Sequence, residues 1–235
     1  MELDKYSKKY IHYHTEEIPS LLKDIFNKNS IKRIADLGSG DGSTLFALFK
    51  KGFLDNIEKV IAIDISQERI NNVKKISDKF LCFKANVCKL EMLDSMSLDL
   101  AISSQVIEHV FNEEEFIKEV YRVLSDGGLF YLSTVFKKWY GWYFYRSRGK
   151  WVLDPTHLRE YTNTSQLLNI IKKYSFDILE DKKTLQCFPI TDFIFKRIGA
   201  KRSIYNNKIA KFLRSVKIPI LGYYNWELVL QKRID

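Results

Sequence analysis

Cysteine is scarce in this chain of 235 residues. Cys82, Cys88 and Cys187 are odd in number and fall at neither metal-type nor redox spacing, so neither a disulfide framework nor a zinc centre is indicated and reduced, buried thiols are the default. Long apolar runs are missing too: nothing approaches the roughly eighteen residues of a spanning helix. The start, MELDKYSKKYIHYH, is charged and aromatic with no signal-peptide core, so a cytoplasmic protein is expected. There is no internal repeat, low-complexity tract, separate linker or recognised RNA-binding module. What the chain does have is 46% hydrophobic and 14% aromatic residues. That is enough for one substantial core, and a single domain over 1–235 is expected.

The formal net charge is +9, unevenly placed. From Lys182 onward twelve Lys and Arg face only Asp192, Glu227 and Asp235, so everything before Lys182 sums to zero. The basic excess belongs to the C-terminal portion, as a solvated face or an interaction surface.

Residues 34–44, IADLGSGDGST, close an apolar stub on Asp36 and run into Gly38, Gly40 and Gly42. Glycines let the main chain turn tightly and approach a ligand closely. Upstream, IKRIADL is β-rich; downstream, STLFALFKK has helical spacing with Ser43 as the expected N-cap. The loop therefore joins a strand to a helix, the nucleotide-binding corner of doubly wound α/β proteins. Dinucleotide sites want Gly or Ala where this chain has Ser43, and Asp36 and Asp41 would repel a diphosphate. A cationic, non-phosphate ligand fits better.

The elements alternate thereafter. EKVIAID, KFLCFKA, SLDLAISS and GLFYLSTVF read as strands, QERINNVKKIS and EEEFIKEVYRVL as helices, which implies a parallel sheet covered on both faces. Asn112 is the expected cap of the second of these helices, its first turn is acidic, and Gly127 or Gly128 is expected to end it. Residues 137–157, KKWYGWYFYRSRGKWVLDPTH, are dense in aromatics and cations without a period and read as a long functional loop. TSQLLNIIKKY returns to helix and FDILEDKKTLQC to strand. Residues 192–217 read as a basic amphipathic helix. In the last strand, YYNWELVLQK, Trp226, Leu228 and Leu230 alternate with Glu227, Val229 and Gln231.

Taken together, these segments resemble the class I S-adenosylmethionine-dependent methyltransferases over roughly residues 30–180, in the family's order: IADLGSGDGS, VIAIDIS, KANVCKL, LDLAISSQVIEHV and EVYRVLSDGGLFYLST. Within the family the chain looks most like the small-molecule, lipid and glycan branch. The resemblance implies a doubly wound, Rossmann-like α/β fold with a seven-stranded sheet, mostly parallel with an antiparallel C-terminal strand, and insertions after strands 5 and 6. It divides the chain into an N-terminal cap (1–30), a cofactor-binding core (31–136), an aromatic-basic insertion (137–160) and a basic amphipathic insertion (187–222).

It also implies S-adenosyl-L-methionine as cofactor, S-adenosyl-L-homocysteine as product and no metal. Asp36, Gly38, Ser39 and Gly40 are then expected around the methionine moiety, Asp64 at the ribose hydroxyls with Ile65 beside it, and Ser104 and Gln105 at the methionine end. Asn86 stands where the family commonly has an acidic residue at the adenine amino group; its side-chain oxygen can still accept, and Val87 offers a backbone N–H. The sulfonium already activates the methyl group, so aligning an acceptor supplies most of the catalysis, about 7–11 kcal/mol in favourable intramolecular cases. His109 and His157 are the candidate general bases for a hydroxyl acceptor, with a structural role the alternative for His109. His12, Tyr13 and His14 belong either to a segment closing over the ligand or to a surface helix.

The acceptor is open between a lipid or lipid-linked glycan met at an anionic membrane surface through residues 192–217 and WYGWYFYRSR, a soluble metabolite in a closed pocket, and RNA stacked on aromatics amid cations. An O-methyl product is preferred. The membrane reading puts the protein at the inner membrane face as a peripheral protein. A non-catalytic methyltransferase-like subunit is the non-enzymatic alternative.

Overall fold

The structure, a computed structural model, describes residues 16–147, 149–189, 213 and 216–234. His12, Tyr13, His14 and nearly all of the 192–217 segment lie outside the described residues. The chain divides into two compact units: the first takes residues 1–134, 163–182 and 227–235, the second 135–162 and 183–226.

In chain order the elements are α1 (Ser20–Lys28), β1 (Arg33–Leu37), α2 (Ser43–Lys50), β2 (Lys59–Asp64), α3 (Gln67–Lys74), β3 (Phe80–Lys84), β4 (Leu98–Ser104), α4 (Glu113–Val123), β5 (Leu124–Lys137), β6 (Tyr145–Ser147), β7 (Lys150–Val152), α5 (Ser165–Lys173), β8 (Phe176–Pro189) and β9 (Lys217–Lys232). Seven strands form one sheet in the order β3-β2-β1-β4-β5-β9-β8, and β6 and β7 form a separate antiparallel ribbon. Strands β1 to β5 pair in parallel. β9 runs against β5: the Gln231 amide donates to the Gly127 carbonyl at 3.0 Å near one end, and Lys138 N–H donates to the Gly222 carbonyl at 2.8 Å near the other. The expected fold is present, with antiparallel C-terminal strands.

The inner strands are apolar on both faces, as parallel strands covered by helices must be: in β1 and β2 every residue after the first is buried. β9 departs from the alternation its sequence suggests. Residues 226–230 are all buried, so both faces of this part of β9 are covered, and β9 lies between β5 and β8 and not at an edge. The first unit packs Ile34, Ala62, Leu100 and Ile102 of the sheet against Leu22 and Ile25 of α1 and Leu45 and Leu48 of α2. Residues 20–28 of the expected N-terminal cap thus belong to this core.

Local signals decided the helix ends. The Asn112 side chain accepts from Glu114 and Glu115 N–H at 3.1 and 3.2 Å, capping α4, whose first turn is acidic. Two expectations are corrected. α2 is capped by Gly42 at φ 82°, not by Ser43, which is already helical; the loop needs a left-handed residue there, and that need overrides the side-chain preference. α4 stops at Val123, not at Gly127 or Gly128, which lie inside β5 where the register jumps from Leu98↔Leu124 to Leu100↔Leu129. The glycines make a bulge, a usual place for them in a strand.

In the second unit Val135, Ile220 and Tyr223 form a small core with Tyr143, Leu153 and Phe188. The stretch read as one long loop contains the β6–β7 ribbon. The expected insertion at 187–222 is shorter, since β8 runs to Pro189 and β9 begins at Lys217.

Candidate functional site

In the first unit the strand order turns about β1: β2 and β3 lie on one side, β4 and β5 on the other. Crevices at the C-terminal ends of strands beside such a switch point are where open α/β sheets bind ligands. The glycine loop lies there. Gly38 and Ser39 N–H both donate to the Ile63 carbonyl, at 2.8 and 2.9 Å, and Gly42 N–H donates to the Ser39 carbonyl at 2.9 Å. The loop is thereby tied to β2.

Two of its glycines are required for different reasons. Gly38 has φ 79°, and a Cβ there would stand 2.4 Å from Val106 Cγ2; Gly40 has φ 56°, and a Cβ there would meet nothing within 4 Å. Gly38 is confined by the fold, whereas Gly40 borders open space.

Asp64 ends β2, 4% exposed. Its Oδ2 accepts Gly40 N–H at 2.9 Å and its Oδ1 accepts Ser66 N–H at 2.8 Å, while Arg69 Nη1 lies 3.8 Å from Oδ2. Each carboxylate oxygen has a second lone pair. Asp36 is also buried, and its Oδ2 has no hydrogen-bond partner among the described residues. Burial pushes its carboxyl up to about 7, and the charge of Asp64 adds to the rise. Ser39 Oγ, Arg69 Nε and Ser103 Oγ are buried without partners too. A crevice with two buried carboxylates and an unsatisfied acceptor suits a ligand bearing a positive, hydrogen-bond-donating group.

The other expected residues take these places. Ile65 follows Asp64 and is half exposed. Ala85 N–H donates to the Asp64 carbonyl at 3.0 Å, which brings Asn86 and Val87 to the same end of the sheet. Asn86 Oδ1 already accepts Cys88 N–H at 3.0 Å, and the Val87 side chain is buried. Ser104 sits opposite Ser133 on β5. Gln105 adopts φ 57°, uncommon for a non-glycine residue, with its N–H on the Ser133 carbonyl at 2.9 Å. His109 N–H donates to the Val106 carbonyl at 2.8 Å, and Glu108, fully buried, accepts from Thr134 Oγ1 at 2.9 Å.

His157 belongs to the second unit. Asp154 organises its turn: Oδ1 accepts Thr156 N–H and Oγ1 at 2.8 and 2.6 Å. His157 Nδ1 lies 2.9 Å from Glu160 Oε1. The same carboxylate accepts Leu153 N–H at 2.6 Å and the Tyr223 hydroxyl at 3.1 Å, with Lys137 Nζ 3.8 Å away. Burial and then the Glu160 charge push the Tyr223 hydroxyl well up, so it stays a donor.

Sequence reasoning missed Arg69, Ser103 and Glu160. Arg69 is a cation at the start of the helix that follows a strand-end carboxylate, a signal that could have been read. Glu160 lies three residues after His157, but outside a helix that spacing carries no meaning.

Residues 35–132 match the model of a family described as methyltransferase domain. A probable S-adenosylmethionine-dependent methyltransferase of Mycolicibacterium smegmatis is 28% identical over 145 residues, 61% of this chain and 51% of that protein. The chain therefore spans about half the length of this relative. A ubiquinone biosynthesis O-methyltransferase of Pelagibacter ubique is 26% identical over 171 residues, 68% of this chain and 69% of that protein. Among solved structures, YcgJ of Bacillus subtilis superposes with a TM-score of 0.61 at 15% identity, covering 91% of this chain and 98% of that one.

Proposed function

We propose that the chain, whose residues 35–132 match a methyltransferase-domain family, is a class I S-adenosylmethionine-dependent methyltransferase and that it methylates an oxygen of a lipid, lipid-linked glycan or small metabolite. The buried acidic crevice carries this reading: Asp36 with its unsatisfied Oδ2, Asp64 at the end of β2, and Gly40 beside open space. S-adenosylmethionine, when bound, supplies an electrophilic methyl group on its sulfonium.

Asp36 receives the ammonium of the methionine moiety, with Gly38, Ser39 and Gly40 forming the wall. Asp64 accepts from the ribose hydroxyls through its remaining lone pairs, held in orientation by Gly40 and Ser66 N–H. Ile65 covers one face of the adenine, while Asn86 and Val87 address its edge; with Oδ1 occupied, Asn86 offers its amide N–H groups as well. Ser104 and Gln105 close the methionine end. His157 takes the acceptor's proton. Its Nδ1–H donates to Glu160 in this assignment, which leaves Nε2 as the basic atom. His109 shapes the floor with Glu108. Oxygen as acceptor atom is supported by the ubiquinone O-methyltransferase relative.

The test is calorimetric titration of S-adenosylmethionine into the protein and its Asp64→Ala variant. Binding in the parent and a loss of roughly a hundredfold in the variant are expected, as for two hydrogen bonds to a charged group. No binding by the parent, or equal affinity in a folded variant, would overturn the assignment. Methyl-labelled cofactor with host extract, partitioned between organic and aqueous phases, then sorts lipid from soluble acceptors.

A further inference from the structure

We propose that the second unit carries a docking surface for an anionic lipid bilayer, built by residues 138–147 and 149–151 together with 217–221. It goes beyond the methyl-transfer reading and does not depend on it.

The surface is aromatic and open. Trp139 is 91% exposed, and Tyr140, Trp142, Phe144, Trp151 and Leu221 are exposed as well. Such a concentration of apolar rings in solvent marks a contact site. Lys138, Arg146 and Lys150 are exposed among these rings. No Asp or Glu occurs between Lys137 and Asp154, so no acidic side chain within the segment weakens attraction to lipid phosphates. On the ribbon Arg146 pairs with Trp151, its guanidinium 4.9 Å from the ring centre. Tryptophan and arginine side by side suit the boundary where acyl chains meet head groups. No helix among the described residues is long and apolar enough to cross a membrane, and the attachment proposed is interfacial.

The rings are fixed to the unit's own framework. Lys138 N–H donates to the Gly222 carbonyl and Trp142 N–H to the Leu221 carbonyl, at 2.8 and 3.2 Å. Tyr143 packs edge-on to Phe188 with centroids 5.9 Å apart. A surface already ordered in this way loses less entropy on docking.

Ring geometry favours lipid over nucleic acid. Stacking a base needs a free ring face. Here Trp139 meets Tyr140 at 89°, and Trp142 meets Phe144 and Trp151 at 67° and 62°, with centroids 5.0 to 5.8 Å apart. Within the Trp142–Phe144–Trp151 cluster these contacts, with Arg146 over Trp151, occupy ring faces that bases would use, while Trp139 stands open as the group to insert. They leave an apolar outer contour suited to insertion among acyl chains.

The full chain is sedimented with vesicles of pure phosphatidylcholine and of phosphatidylcholine with phosphatidylglycerol, at low and high salt, and separately titrated with labelled oligouridylate. Binding to the anionic vesicles, reduced by salt, is expected. Trp139→Ala should weaken it roughly tenfold, and Lys150→Gln roughly fivefold. Both sites are exposed, so either variant serves if the other fails to fold. Absence of vesicle binding, or binding unchanged in both variants, overturns the proposal. Oligouridylate binding without vesicle binding reassigns the surface to RNA and overturns it equally.

Discussion

The two units divide the chemistry of the chain between them. The second contains fifteen Lys and Arg against three Asp and Glu, a net +12, which leaves the first at −3 within a chain of +9. It also holds 17 of the 33 aromatic residues in under a third of the length. The first unit gathers carboxylates at the ends of regular strands. The second gathers rings and cations on short ribbons and strand extensions, with the Glu160 carboxylate, little exposed, at the meeting point of its polar groups among the described residues. On the two proposals above, one unit receives a small cation on a few buried acceptors, and the other meets an extended anionic surface with exposed groups. Segregating the two signs keeps the basic excess out of the sequence segments that form the acidic crevice.

The largest effect that would sharpen this contrast concerns Asp36. Its folded-state pKa is raised from 3.8 to about 7, so the native state holds the proton more tightly than the unfolded chain. Its favourable contribution is complete below pH 4 and is lost as the pH rises through 7, on the order of 3–4 kcal/mol. Asp36→Asn should flatten that decline in urea-denaturation curves recorded between pH 5 and 8; an equal decline in the variant would remove Asp36 as its source. Next comes Gly222→Ala. A Cβ there would lie 2.6 Å from Gly141 Cα at φ 72°, and a cost of about 2–4 kcal/mol is expected. Limited proteolysis should show accelerated cleavage within 135–162, and cleavage at the parent's rate would show that the backbone contact is dispensable. The smallest effect belongs to the first unit: Asn112→Ala should cost about 1 kcal/mol, read as a shift in denaturation midpoint.

Legibility followed the same division. β1, β2 and α4 could be read because an apolar run, a glycine loop and an Asn cap followed by glutamates are local signals that agree with one another. Asp36 and Asp64 stood out because a carboxylate at or next to the end of an apolar strand breaks the strand's own pattern. The second unit was harder. The ribbon at 145–152 has three-residue strands, too short for alternation to register. Its polar centre joins Lys137, Leu153, His157, Glu160 and Tyr223, which are scattered along the chain. The cap at Gly42 was missed because a backbone demand outweighed a side-chain preference, and the burial of β9 on both faces because it reflects what packs over the sheet, a property no segment carries alone.

The close approach of Gly222 to Gly141 has a consequence for descent. Two segments far apart in the chain meet backbone to backbone, and one of them does so in a left-handed conformation. A Cβ on Gly222 would run into the Gly141 backbone, whereas a Cβ on Gly141 would meet Lys137 and Lys138 of its own segment, so it is Gly222 that cannot acquire a side chain while the other segment stays where it is. In the lineage of this protein position 222 should stay glycine for as long as the stretch between Lys138 and Trp142 keeps its course, and a sequence with a side chain at 222 should have rebuilt that stretch.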